Sequence, residues 1–353
     1  MPHRILPLPS ATIAVSRLPI VLATSLVLTA CDSGPSDPST PWLHEFDSYW
    51  QNFESSYSYF SYKQINWDSL RTVFRPSAAT VSSRDELIGV LRQMSAPLRD
   101  VHVWFQHTDG RTLGTYTSNA VVNWQKPAWQ AYVNRNGWHQ VSTWGYALMD
   151  EVGYIAIGSW NTQQVRTAAV DSVLEILRGA RALIVDVRMN GGGNDQLAMQ
   201  VAARFTTQTV PVEHFKFRNG PGHDNFTALT TRQLAPRGPW QFTKPVIVLS
   251  GRGVFSSNES FISAMRELPH VTIMGDTTGG SSGNPQFFEL GGGWSYGVPR
   301  WIAYTADLRV IEWNGIPPDI AIPTRPLDFT TTDPLIDAAR ARLTAGNQRK
   351  PTP

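Results

Sequence analysis

The chain has 353 residues, 41% of them hydrophobic, which is long enough for one large domain or two ordinary ones, each with a substantial core. Its formal net charge of +2 comes from Arg4 and Arg17 in the first 30 residues, which contain no acid, so the rest of the chain is neutral. This balance excludes the strongly basic surface that is typical of nucleic-acid-binding proteins, and we expect no nucleic-acid partner.

Residues 1–30 have the pattern of an export signal. Arg4 and Arg17 accompany an apolar segment, 18–28, that is too short to span a membrane as a permanent helix. The segment runs into Leu28-Thr-Ala-Cys31, which resembles the lipobox of bacterial lipoproteins, where the cysteine becomes the lipidated first residue. The resemblance implies a lipid anchor at Cys31 and a place in the bacterial cell envelope, on its periplasmic or extracellular face. A stray cysteine in an ordinary signal peptide is the alternative.

Residues 31–41, rich in Ser and Pro, are predicted to form a flexible tether. From residue 42 to residue 98 the spacing is helical, and we predict an N-terminal helical subdomain. Aromatic residues recur there at intervals of three or four and predict a stripe, which is more typical of a packed core than of a ligand site: Phe46, Tyr49, Trp50, Phe53 and Tyr57.

Residues 99–345 alternate between strand and helix patterns, which favours a layered α/β core. Strands are predicted at 101–105, 121–124, 154–157, 183–187, 246–249, 271–274, 287–290, 295–298 and 302–304. Helices are predicted at about 163–177, 196–204, 257–268 and 333–343. Residues 346–353 are predicted to be a disordered tail.

Two strand-to-helix turns carry the candidate chemistry. The first, Asn190-Gly-Gly-Gly193, follows an apolar strand and precedes a helix, so its backbone N–H groups are free to face an anion or a polarised carbonyl. The second places Ser256 at the start of the helix that follows strand 246–249. Taken alone, the first is more often a tight turn, and Ser256 is more often a helix cap.

Four segments, in order, resemble motifs of the tail-specific (C-terminal processing) protease and tricorn-core family. They are Leu98-Arg-Asp-Val-His102, Asp186-Val-Arg-Met-Asn-Gly-Gly-Gly193, Gly253-Val-Phe-Ser-Ser-Asn-Glu259 and Glu312-Trp-Asn-Gly-Ile-Pro-Pro-Asp-Ile320. The resemblance covers most of the chain after the signal. It implies a crotonase/Clp-protease-like α/β core, with Ser256 as the nucleophile.

The chain departs from the tail-specific proteases in its general base. Those enzymes pair the serine with a lysine about 25 residues later, but the corresponding segment 275–283 contains no lysine. A serine hydroxyl needs a base near neutral pH, and histidine is the best substitute. The tricorn-like branch uses a Ser-His-Glu arrangement, which implies His102 as the base and Glu312 as the carboxylate that supports it. His107 is the rival base.

The same resemblance implies an oxyanion hole formed by the backbone N–H of Ser257 and of Gly191 or Gly192. Asp186 and Arg188 are interpreted as a structural ion pair behind the glycine turn. Asp319 is interpreted as fixing a turn. The roughly 45 residues between 106 and 150 are too few for the PDZ domain that tail-specific proteases usually carry.

These observations predict a serine peptidase that hydrolyses peptides or unfolded polypeptide segments and needs no cofactor. No His-Glu-x-x-His motif or cysteine cluster is present, and we expect no catalytic metal. Two alternatives stay open: a non-hydrolytic ligand-binding protein on the same fold, for which the 13 tryptophans could line an apolar pocket, and a non-peptidase acyl hydrolase. The substrate and the oligomeric state are not determined by the sequence.

Overall fold

The structure is a computed structural model that describes residues 40–330 and 332–345. The predicted signal peptide, the lipidation site at Cys31, the first nine residues of the predicted tether and the tail 346–353 lie outside the described residues. The last two residues of the predicted tether belong to the first helix.

The helices of the described range are α1 (Thr40–Ser56), α2 (Phe60–Lys63), α3 (Trp67–Ala78), α4 (Arg84–Ser95), α5 (Lys126–Arg135), α6 (Thr167–Ile176), α7 (Asp195–Ala202), α8 (Ser257–Arg266) and α9 (Pro334–Thr344). The strands are β1 (Trp104–His107), β2 (Thr112–Gly114), β3 (His139–Gln140), β4 (Trp144–Met149), β5 (Val152–Ile157), β6 (Ala182–Asp186), β7 (Val210–Phe217), β8 (Thr230–Leu234), β9 (Val246–Ser250), β10 (Val271–Gly275), β11 (Gln286–Gly291), β12 (Trp294–Val298), β13 (Trp301–Thr305) and β14 (Ile320–Ala321).

The largest sheet has the strand order β14-β10-β9-β6-β5-β4-β3. The pairs from β14 to β5 are parallel, and β4 and β3 extend the sheet antiparallel. Strands β5, β6, β9 and β10 are buried along their whole length because helices cover both faces, which explains their nearly continuous apolar sequences. Helices α6, α7 and α8 pack on one face, and α5 and α9 on the other. The predicted layered α/β architecture is confirmed.

Helices α1 to α4 pack against a second sheet, of order β11-β12-β1-β2, and share one hydrophobic core with it. Four residues of the predicted aromatic stripe are fully buried in this core, and Trp50 is partly buried. The Tyr49 ring lies 4.5 Å from the Tyr296 ring of β12. A third sheet, β13-β7-β8, packs on α8 through β7. Among the described residues no helix is long and apolar enough to cross a membrane.

Two predicted elements differ most from the structure. Residues 121–124 form no strand, because Asn123 bonds to strand ends instead: its Nδ2 donates to Ser250 O, and its carbonyl accepts from Arg188 Nη1. Helix α5, which was not predicted, follows at once, with a proline in its first turn. Helix α6 begins later than predicted because Asn161 Oδ1 accepts from Gln163 N–H and closes a turn there.

Candidate active site

Ser256 lies between β9 and α8, in a backbone conformation that an ordinary helix cap does not have. Its φ is 59° and its ψ is −130°, whereas an N-cap residue usually has an extended backbone. Such a conformation costs about 1–3 kcal/mol in a residue other than glycine and persists where the surroundings enforce it. The Ser256 N–H donates to Ser281 O at 2.9 Å and to Glu259 Oε2 at 3.2 Å.

The glycine turn that follows β6 lies directly against Ser256. Gly192 has a φ of 114°, and a Cβ added there would lie 2.9 Å from Ser256 Cβ, so only glycine fits. Asn258 of α8 joins the two turns: its Nδ2 donates to Val187 O at 3.1 Å and to Asn190 O at 2.8 Å. The amino end of α8 and the glycine turn are therefore held as one unit.

The backbone amides of this unit are not equivalent. The Gly192 N–H donates to Asn190 Oδ1 at 2.9 Å, so it is already engaged. For the amides of Gly191 and Ser257 no acceptor is found among the described residues. Ser257 is the first residue of α8, where unpaired amides and the helix dipole favour negative charge. Two donors suited to an oxyanion thus flank Ser256.

His102 precedes β1 and is buried, with 6% of its surface exposed. Its Nδ1 lies 2.8 Å from Ser281 Oγ, and its backbone N–H donates to Asp100 Oδ1 at 2.9 Å. Since Ser281 O accepts the Ser256 amide, Ser281 contacts both candidate catalytic residues. Among the described residues no hydrogen bond joins Ser256 to His102 directly.

Burial lowers the pKa of His102 below its ordinary value of 6.5. The negative charge of Asp100, whose Oδ1 lies 3.9 Å from His102 Nδ1, opposes this effect, and the positive charge of Lys63 adds to it. The net result keeps the imidazole neutral near pH 7, which is the form that accepts a proton.

A buried charge cluster lies behind His102. Lys63 Nζ, from α2, lies 3.0 Å from Asp100 Oδ2 and 2.6 Å from Glu312 Oε1, and all three side chains are at most 1% exposed. The Tyr57 hydroxyl donates to Asp100 Oδ2 at 2.8 Å. The helical segment therefore supplies a cation to two carboxyl groups that come from other parts of the chain.

The two carboxyl groups of the cluster differ in pKa. Burial raises the pKa of Asp100, but Lys63 and His102 outweigh it, so that the net pKa lies below 3.8. Burial and then the charge of Asp100 raise the pKa of Glu312 to about 8. Burial favours neutral Lys63, yet the two acids raise its pKa above 10.5. One cation facing one carboxylate and one protonated carboxyl makes the buried cluster neutral.

Glu312 does not bond to His102 directly. Besides the Lys63 ion pair, its Oε2 accepts the Ser282 N–H at 3.3 Å, and among the described residues no hydrogen bond links it to the imidazole. The sequence expectation was a carboxylate in support of His102. The carboxyl group nearest to the imidazole is instead that of Asp100.

Glu259 holds the segment that carries Ser281. Its carboxyl oxygens accept the Thr278 hydroxyl at 2.5 Å and the N–H groups of Gly280 and Ser281 at 2.9 and 3.0 Å, in addition to the Ser256 N–H. Burial raises its pKa to about 8, although all these donors lower it. The motif position three residues after Ser256 thus has a structural role at this site.

The remaining candidates lie elsewhere. His107 contacts Asp109 and the Gly292 carbonyl on the far side of β1 from the loop that carries His102. Asp186 and Arg188 form a fully buried ion pair at 2.6 Å, which Asp333 completes. Asp319 Oδ2 accepts the Ile273 N–H at the end of the sheet. Among the described residues no group of three or more His, Cys, Asp or Glu side chains could hold a metal ion.

Sequence reasoning missed Ser281, Asn258, Lys63 and Tyr57. Ser281 follows Ser256 by 25 residues, the position at which tail-specific proteases carry their lysine, so the spacing was a usable signal. Asn258 lies inside the nucleophile motif, where its amide could have been considered. Lys63 and Tyr57 lie in the helical segment, far from any motif: Tyr57 was predicted only as a core residue of the aromatic stripe, and no local pattern pointed to Lys63.

Comparison with known proteins finds two protein-family models that match parts of the chain. Residues 151–322 match the model of peptidase family S41, and residues 38–96 match the tricorn protease C1 domain. Carboxy-terminal processing protease CtpB of Bacillus subtilis (strain 168) is 28% identical over 185 residues, which cover 52% of this chain and 36% of that protein. The chain thus spans little more than a third of the length of this curated relative.

Two solved structures extend the likeness over most of the chain. A candidate peptidase from Parabacteroides merdae ATCC 43184 is 28% identical with a TM-score of 0.74, covering 85% of this chain and 95% of that one. Mature CPAF, at 11% identity, has a TM-score of 0.69 and covers 89% of this chain and 99% of its own. At that identity the second likeness concerns the fold alone.

Proposed function

Since the chain belongs to peptidase family S41, we propose that it is a serine peptidase that hydrolyses peptides or unfolded polypeptide segments, with Ser256 as the nucleophile and His102 as the base. The observation that carries the proposal is the strained Ser256 turn, packed against Gly192 and joined to His102 through Ser281. A residue that only capped α8 would need none of these features.

In the proposed reaction Ser256 Oγ attacks the scissile carbonyl carbon while His102 Nε2 takes the hydroxyl proton. In this scheme the Nδ1–H of His102 donates to Ser281 Oγ, which leaves Nε2 as the acceptor nitrogen. The amides of Ser257 and Gly191 bind the oxyanion. Collapse of the intermediate passes the proton to the leaving amine and leaves an acyl-enzyme, which water hydrolyses with His102 again as base.

We assign the support of the imidazolium to Asp100 and not to ionised Glu312. Asp100 lies 3.9 Å from Nδ1 and keeps its charge, whereas Glu312 carries a proton at neutral pH. Lys63 then fixes the position of both carboxyl groups without neutralising the field of Asp100 completely. Glu312 contributes by holding the Ser282 amide, next to Ser281.

The proposed location is the bacterial cell envelope, with a lipid anchor at Cys31. The support is the Leu28-Thr-Ala-Cys31 motif after an apolar segment. Mass spectrometry of the protein from a bacterial membrane fraction should find a lipidated Cys31 as the first residue. An unmodified Cys31, or cleavage at another bond, would contradict the anchor.

The nucleophile is tested with Ser256→Ala and the matched variant Ser257→Ala. Ser256→Ala should lose labelling by a serine-reactive fluorophosphonate and lose hydrolysis of an unfolded protein by several orders of magnitude. Ser257→Ala should keep most activity, because alanine retains the backbone N–H. Melting temperatures of both variants report whether the fold is intact.

The alternatives give different results in the same assays. A wild-type protein that is neither labelled nor cleaves unfolded proteins, but binds apolar ligands, is a binding protein. Labelling at Ser256 with cleavage of simple esters and of no peptide would instead indicate a non-peptidase acyl hydrolase. An apolar ligand should be sought in a pocket of about 180 Å³ that is lined by Trp124, Trp129 and Trp144.

A further inference from the structure

A pocket of about 300 Å³ opens beside the candidate active site. Phe255, the residue before Ser256, and the backbone of Gly279 to Ser281 form the wall that it shares with the site. Phe255 precedes Ser256 in the chain, and Ser281 Oγ lies 2.8 Å from His102 Nδ1, so the pocket adjoins both candidate catalytic residues. A residue of extended peptide spans about 3.3–3.6 Å, which puts such a pocket within reach of a substrate residue close to the scissile bond.

Two cationic side chains line the pocket. Arg99 and Arg252 both line it, and none of the described residues that line it is acidic. Arg252 Nε lies 3.3 Å from Asp276 Oδ2, an exposed pair that leaves the other guanidinium donors available. Arg99 forms no ion pair within the part of the chain that the structure describes. Even with Asp276 counted, the pocket carries an excess positive charge.

The Arg99 guanidinium is held by aromatic rings. Its central carbon lies 5.7 Å from the Trp313 ring and 5.9 Å from the Tyr116 ring, and both residues line the same pocket. The Trp313 indole N–H donates to Arg99 O at 3.3 Å, and Trp313 has a φ of 66°, which is unusual for so bulky a residue. A guanidinium placed beside aromatic rings in this way loses little freedom when it binds a planar anion.

We propose that this pocket, bordered by Arg99, Arg252, Tyr116 and Trp313, binds a substrate carboxylate one or two residues from the scissile bond. Guanidinium groups bind carboxylates through paired, charge-assisted hydrogen bonds, and no acid in the pocket competes. The carboxylate is an acidic side chain or the α-carboxylate of a chain end close to the cleaved bond. The inference rests on the proposed peptidase function only for the statement that the occupant is a substrate.

The test measures binding without hydrolysis, with the full chain carrying Ser256→Ala. Fluorescence polarisation compares three labelled peptides of equal length: one with a central glutamate and an amidated end, one with a central glutamine and a free C-terminus, and one with glutamine and an amidated end. Tighter binding of the first identifies the side chain, and tighter binding of the second identifies the chain end. Equal affinity for all three, or no binding of any, would overturn the proposal.

The arginines are tested in the same background. Arg99→Gln and Arg252→Gln should each weaken the preferred acidic peptide about tenfold and leave the neutral peptide unchanged. Arg71→Gln is the matched control, because Arg71 also lies over a tryptophan ring, at 4.4 Å from Trp50, but outside the pocket. Unchanged acidic preference in the Arg99→Gln, Arg252→Gln double variant would contradict the assignment.

These experiments distinguish failure of the proposed peptidase function from failure of the proposed carboxylate pocket. If the wild-type protein is not labelled by fluorophosphonate but the Ser256→Ala chain binds acidic peptides through Arg99 and Arg252, the pocket is a recognition site and hydrolysis is wrong. If labelling and cleavage occur without any acidic preference, the pocket assignment is wrong and the peptidase function stands.

Discussion

In the proposed mechanism Ser281 orients His102 through its hydroxyl, whereas the hydrogen bonds of its neighbour Ser282 within the described part of the chain involve its backbone. Ser281 Oγ lies 2.8 Å from His102 Nδ1, while the Ser282 N–H donates to Glu312 and its carbonyl accepts from Tyr59. Ser281→Ala should therefore lower kcat about 10- to 100-fold, because the imidazole loses the contact that orients it, and should change KM little. Steady-state kinetics of Ser281→Ala and of the control Ser282→Ala check this. Equal losses in both variants would mean that the segment, and not the Ser281 hydroxyl, is what matters.

The pH dependence of hydrolysis should report the protonation of the His102 imidazole. Since burial lowers the pKa of His102 below 6.5, the neutral base persists to below pH 6.5, and kcat/KM should fall only as the pH drops through that lowered value. Asp100→Asn removes the charge that favours the imidazolium, so the acid limb should move to lower pH and the plateau should also fall. Profiles of both proteins, with the fold verified at each pH, measure the shift. An acid limb above pH 6.5, or one that Asp100→Asn leaves in place, would remove His102 or Asp100 from this scheme.

At single positions, the sequence predicted the candidate site residues that lie in recognisable motifs. Ser256 and His102 are joined through Ser281, and Glu312 holds the next amide, so three residues chosen from distant motifs lie in one neighbourhood. The charge state of Glu312 could not be predicted, because it depends on burial and then on Asp100 and Lys63, whose contacts arise only on folding. A burial-driven pKa shift leaves no mark in a local pattern.

Helix α2 is tied to the site by one buried cation. The positive charge of Lys63 lies against the carboxyl groups of both Asp100 and Glu312. Lys63→Met would leave these buried carboxyl groups without their cation, and should lower the free energy of unfolding by about 3–5 kcal/mol. The control is Arg309→Met, which breaks an exposed pair with Asp307 and should cost about 0–1 kcal/mol. Urea unfolding of both variants makes the comparison. Similar small losses in both would show that the cluster adds little to stability.

Helices and strands with a strong local sequence pattern were predictable, whereas those that depend on contacts with distant parts of the chain were not. Strands β5, β6, β9 and β10 are apolar throughout because the sheet buries both faces, and the sequence locates each of them. Strand β7 is mostly half-buried and contains Pro, Glu, His and Lys, which mask the pattern. The segment 121–124 has a strand composition but bonds to strand ends, so tertiary contacts override its propensity.

For the molecule as a whole, alternation of strands and helices predicted the layered α/β core, but not the pairing of distant strands. Strand β1 pairs with β12, which places the loop of His102 on a sheet that joins strands from the two halves of the chain. The helical segment was predicted as a unit, yet it shares its core with that sheet and sends Lys63 into the site. Such strand pairings depend on which faces of the sheets and helices pack against each other, and that packing arises only in the folded chain.

Stability should fall as the pH rises from 6.5 to 8. Burial raises the pKa of Glu259 and of Glu312 to about 8, while an unfolded glutamate ionises near 4.5. Over this interval the native state therefore binds more protons than the unfolded chain, and each such group lowers the free energy of unfolding as the pH rises. His102 and His270, whose pKa values are lowered, have the opposite effect, but only below pH 6.5.

Glu312→Gln separates the contribution of this carboxyl group from the rest. Glutamine imitates a protonated carboxyl, so the variant should match the wild type at pH 6.5 and lose less stability by pH 8, by on the order of 2 kcal/mol. It should also keep most of its peptidase activity at pH 6.5, because the working form of Glu312 is the protonated one. Urea unfolding and hydrolysis at both pH values measure these effects. A pH-independent stability together with an inactive Glu312→Gln would show that Glu312 works as a carboxylate, and would restore it to the catalytic role that the sequence motif implied.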